Sequence, residues 1–110
     1  MTTVEDPTYP SDYPPEGAQK GHDIHVNFYV AGNTLGEVTV ESSLTLSPVD
    51  PAVDGFGDVT SKSSITVPDG YDFTEAYTLQ KDISRSDTLY FNWLSGDGNS
   101  GSTLLTPSIG

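Results

Sequence analysis

The 110-residue chain contains no cysteine, which excludes disulfide staples, thiolate nucleophiles and cysteine-bound zinc. Basic residues are scarce as well: four Lys and Arg stand against sixteen Asp and Glu, for a formal charge of -12 at pH 7. A field of that sign repels the phosphate backbone that dominates nucleic-acid affinity, and it repels anionic lipid headgroups. No apolar run approaches the roughly 20 residues of a membrane-spanning helix. Neither nucleic acid nor a membrane is therefore expected as a partner. The opening "MTTVEDPTYP" lacks the basic and apolar regions of a secretory signal, so we expect either no targeting segment or one already removed. Hydrophobic residues are sparse at 34%. Gly, Ser, Thr and Pro take their place, which suits short strands, many turns and a thin core.

What the chain does contain begins with "DPTYPSDYPPEG", residues 6–17, which holds four prolines, two tyrosines, three acids and no aliphatic side chain. Pro7, Pro10, Pro14 and Pro15 restrict their own φ and push Asp6, Tyr9 and Tyr13 towards extended or polyproline II conformations. Gly17 and Gly21 loosen the junction that follows. Residues 1–21 thus read as an extended arm without a core of its own, and residues 22–110 as a single β-domain ending in a short tail. A proline-stiffened arm loses little entropy when it docks on a neighbour, and its tyrosines supply anchors. Tyr9, Pro10, Tyr13, Pro14 and Pro15 are accordingly candidate partner-binding residues.

From His22 the pattern takes a period of two. In "HDIHVNFYV", Ile24, Val26, Phe28 and Val30 share one face, and Asp23, His25, Asn27 and Tyr29 share the other. "AGNTLG" is a turn, and "EVTVESSLTLS" alternates again with Val38, Val40, Leu44 and Leu46 inward, so these two strands are expected to pair as an antiparallel hairpin. Residues 48–58 form a long loop, and "VTSKSSITV" reads as a weak or edge strand with Val59, Ile65 and Val67 inward. "YDFTEAYTLQKDI" reads as strand, with room for a helical turn near Thr74 to Ala76. "DTLYFNWL" is a central strand whose Leu89, Phe91 and Trp93 face the core. "STLLTPSIG" adds a last short strand and the tail. The expected fold is all-β, a small antiparallel β-sandwich or barrel of about six to eight strands behind a Pro/Tyr-rich N-terminal arm.

Candidate chemistry is thin. "GDGNSG" at 96–101 matches a dinucleotide-binding glycine pattern, but only nine residues follow it, so no crossover helix and second strand can be built. A hairpin loop accounts for it. His22 and His25 fall on opposite faces of a strand and cannot chelate one metal together. Asp50, Asp54 and Asp58 could gather oxygens for calcium, yet they lack the spacing of an EF-hand. No Ser, His and acid order fits a nucleophile elbow. Trp93 and Tyr90 raise the possibility of sugar stacking, with core packing the simpler role for Trp93. Tyr29 and Tyr90 together suggest a small exposed patch that a partner covers.

The resulting expectation is a non-enzymatic structural subunit, without cofactor or metal, that binds protein partners in a repeating assembly, with homo-oligomerisation open. A capsid decoration, cement or tail-associated protein located in the virion fits best. The alternative is a carbohydrate-binding or adhesion sandwich at the cell surface or outside the cell. Dense acids with few lysines also suit a halophilic or marine source, where salt screens their repulsion.

Overall fold

Alternating apolar and polar residues yield eight strands in a computed structural model that describes residues 1–10, 17–32, 36–84 and 86–108. They are β1 (Thr3–Pro10), β2 (Asp23–Ala31), β3 (Glu37–Thr45), β4 (Ser63–Pro68), β5 (Tyr71–Thr78), β6 (Tyr90–Ser95), β7 (Ser100–Leu104) and β8 (Thr106–Ser108). One sheet runs β5-β2-β1-β8 and the other β4-β3-β6-β7. Pairing is antiparallel throughout except between β1 and β8. The fold is an all-β sandwich, and no helix occurs among the described residues. In it the fourth strand pairs with the third and the fifth with the second.

Strands β1 to β6 each contribute buried side chains to the core. Ile24, Val26, Phe28 and Val30 of β2 meet Val38, Val40 and Leu44 of β3 and Phe91 and Trp93 of β6, all of them buried. Phe91 lies centrally, 5.1 Å from the Phe28 ring and edge-on to Tyr77 at 6.2 Å. Leu89 is buried too, while Leu46 packs half-buried against the cluster, as does Ile65 of the edge strand β4. Tyr77 is a polar side chain at this depth, and its hydroxyl pairs with that of buried Ser42. Burial is the main reason its phenol is pushed well above the usual tyrosine range.

Two crossings close the seams between the sheets. At one edge, the Val59 N–H donates to Leu44 O (3.1 Å) and the Gln80 N–H donates to Val59 O (2.7 Å), so residues 59–60 bridge β3 to the end of β5. At the other, the chain leaves β7, donates the Leu105 N–H to Leu89 O (2.9 Å), and enters the first sheet as β8.

Four expectations change. β2 and β3 do not pair as a hairpin; the chain crosses between them from one sheet to the other. Residues 3–10 are a strand of the first sheet rather than an arm, with Val4 in the core, Pro7 buried and Tyr9 packed against the cluster. The reason is that β2, paired with β5 on one side, presents unpaired N–H and C=O groups on the other, and β1 satisfies them. The strand accommodates its proline through an irregularity in register between Glu5 and Thr8, where Asp6 adopts φ 53° instead of the extended conformation expected before proline. Finally, β5 is strand throughout, with no helical turn at 74–76.

Candidate functional site

The first sheet turns an open polar face to solvent. Along β2 the outward residues are Asp23, His25, Asn27 and Tyr29, all exposed. Register then decides their neighbours. Tyr29 lies directly between Glu5 of β1 and Asp72 of β5, and Asn27 lies between Thr8 and Thr74, with Thr106 of β8 beyond Thr8. Asn27 Nδ2 donates to Thr74 Oγ1 at 3.1 Å, and Thr78 Oγ1 donates to Asp23 at 2.7 Å. Tyr29 is tipped towards the turn between β4 and β5: a methyl group on Gly70, whose φ is 69°, would sit 3.3 Å from the Tyr29 hydroxyl. Glycine there leaves room for the phenol, which is 36% exposed, with Glu5 and Asp72 at the paired positions of the neighbouring strands.

The outer face of the second sheet is largely paired within itself, although the buried Ser43 Oγ has no hydrogen-bond partner among the described residues. Tyr90 is half-buried opposite Thr45 and Leu104. Next to it, buried Asn92 donates from Nδ2 to Thr45 Oγ1 (2.9 Å) and accepts from Ser102 Oγ (2.7 Å). Tyr29 and Tyr90 therefore stand on opposite outer faces of the sandwich and cannot form the single patch expected. The sequence alternation is right for each strand, but it cannot say that β2 and β6 belong to different sheets.

The remaining predicted residues disperse further. Tyr9 packs partly buried against the protein's own core, and Pro10 pairs through its backbone with Ser108. Tyr13, Pro14 and Pro15 lie outside the described residues. Trp93 is only 7% exposed and covers Gly101 so closely that a Cβ there would meet its Nε1 at 2.7 Å, so it is core and offers no stacking platform.

The other polar features are structural. Asp50 folds back to accept the Ala52 N–H (3.0 Å), while Asp58 faces Lys81 at 3.4 Å. Asp97 accepts hydrogen bonds from the Ser95 hydroxyl, from the Thr2 hydroxyl (2.6 Å) and from Asn99 Nδ2 (3.1 Å), which clasps the β6–β7 turn to the start of β1. These donors, Ser95 foremost and then Thr2, hold its carboxyl well below the usual range. An open depression of about 540 Å³ beside Gly17, Ala18, Lys20, His22, Asp82 and Ile83 carries both signs of charge. Its Asp82 is occupied in accepting the Lys20 backbone N–H at 2.7 Å. Among the described residues no group of three His, Asp or Glu converges to hold a metal ion.

What sequence reading missed is the pairing of Glu5 and Asp72 with Tyr29, since partners 24 and 43 positions away become neighbours only through strand register. No protein-family model, curated protein or solved structure matches the chain.

Proposed function

We propose that the chain is a non-enzymatic structural subunit that docks on a larger protein assembly, with a virus shell or tail as first candidate and the virion as its location. The observation that carries this reading is the exposed Tyr29 on a strand-held open sheet face. An aromatic ring fixed on a rigid strand gives contact area at low entropic cost, and tyrosine is enriched in the centres of protein interfaces. Attachment to a repeating lattice multiplies such modest contacts through avidity. The anchor thus moves from the N-terminal residues to this face, because β1 is spent on the sheet and Tyr9 on the core. Tyr13, Pro14 and Pro15 keep a secondary place in the proposal on composition alone. Burial of Trp93 takes away one of the two aromatic residues from which the carbohydrate reading started, and Tyr90 is half-buried.

Sedimentation of a native extract from the source tests the proposal. The chain is expected to travel with large particles at a fixed ratio to a shell protein, and Tyr29→Ala is expected to release it. Migration as a free 11.7 kDa protein in an extract that holds intact particles would overturn the reading.

A further inference from the structure

We infer that the row Glu5, Tyr29, Asp72 is a seat for an arginine side chain presented by the partner protein, an inference that rests on the docking reading of this face and gives it a chemistry. Directly opposed residues on adjacent strands have Cβ atoms about 4.5–5.5 Å apart, so Glu5, Tyr29 and Asp72 form one row on the same outer face with both carboxylates within reach of a cation held at the phenol. A cation over a tyrosine ring is attracted within about 6 Å of its centroid, and the two carboxylates add to that attraction. Guanidinium suits the row better than ammonium, because its plane stacks on the ring while its edge forms paired hydrogen bonds with a carboxylate.

Among the described residues the chain's own bases are placed elsewhere: Lys62 sits over the Phe56 ring at 5.3 Å, Lys81 faces Asp58, and Lys20 lies in the turn before β2, while Arg85 lies outside the described residues. A second copy is a poor donor, since two molecules of charge -12 repel each other. Charge complementarity therefore selects a basic protein surface as the occupant, and the same charge selects against nucleic acid.

The test is a ¹H–¹⁵N titration of the full chain with acetyl-arginine-amide, with acetyl-citrulline-amide as the neutral analogue of the same shape and acetyl-lysine-amide as the alternative cation. Saturable shifts are expected at residues 4–6, 28–30 and 71–73 with arginine, weaker ones with lysine and none with citrulline. Glu5→Gln and Asp72→Asn, whose dispersed spectra report an intact fold, should each weaken arginine binding about two- to five-fold, and Tyr29→Leu by a similar factor. Equal response to citrulline, lysine binding as tight as arginine, or shifts spread equally over residues 50–58 would overturn the seat. Arginine binding in a chain that never travels with particles would defeat the docking reading and leave the seat standing. Co-sedimentation that survives Glu5→Gln and Asp72→Asn, without arginine shifts, would do the reverse.

Discussion

Asp97 shows at the residue scale how a loop position acquires a structural role. Its carboxylate is exposed, yet Ser95, Thr2 and Asn99 all donate to it. A carboxyl held below its unfolded value stabilises the fold above the ordinary aspartate range, and that contribution fades as pH falls from about 5 through the lower folded value. Asp97→Asn is therefore expected to lower the thermal midpoint at pH 7, with the gap to the parent protein narrowing steadily below about pH 4. A gap that stays constant down to pH 2 would show that the charge is not what the clasp uses. Sequence reading identified "GDGNSG" as a hairpin loop, and it joins β6 to β7. It could not identify the clasp, because Thr2 lies 95 positions away and its threonine carries no local mark of that role.

At the scale of elements, β1 departs most from what its residues suggest. Prolines and acids describe a segment that cannot pack alone, but a strand needs only a neighbour with unpaired backbone groups and one inward side chain in phase. β2 supplies the first and Val4 the second. Removing residues 1–10 should consequently expose the β2 edge and abolish the cooperative melt, where a free arm would leave the melt unchanged. Among the Thr3 to Glu5 backbone amides, those that point towards β2 should be protected from exchange in the intact chain. The strands with strict alternation were legible: β2, β3 and β6 bury the residues their patterns assign, apart from the half-buried Leu46 just beyond β3. For that reason Phe91→Ala, which empties the space between Phe28 and Tyr77, is expected to cost about 3–5 kcal/mol in denaturant unfolding. An unchanged midpoint would contradict its central placement.

Across the whole molecule, charge sets the balance. The radius of gyration is 13.4 Å, that of a compact chain of this length, so sixteen acids and four bases share a small volume. An exposed pair such as Lys81 with Asp58 contributes about 0–1 kcal/mol and does little to relieve the repulsion. Screening by salt relieves it generally. The thermal midpoint should rise between low and molar NaCl, and a flat or falling midpoint would show that self-repulsion is not a significant term.

The sequence by itself determined the class of fold, the inward phase of its main strands and the sign of the surface field, because each follows from side chains taken singly or at a period of two. Tertiary structure alone decided which strands share a sheet, and with that whether Tyr29 and Tyr90 are neighbours or stand on opposite sides. It also decided that β1 belongs to the sandwich, and that Glu5 and Asp72 flank an exposed phenol. These outcomes depend on register and pairing between distant segments, where the energy lies in backbone hydrogen bonds common to every residue and the sequence leaves little local trace.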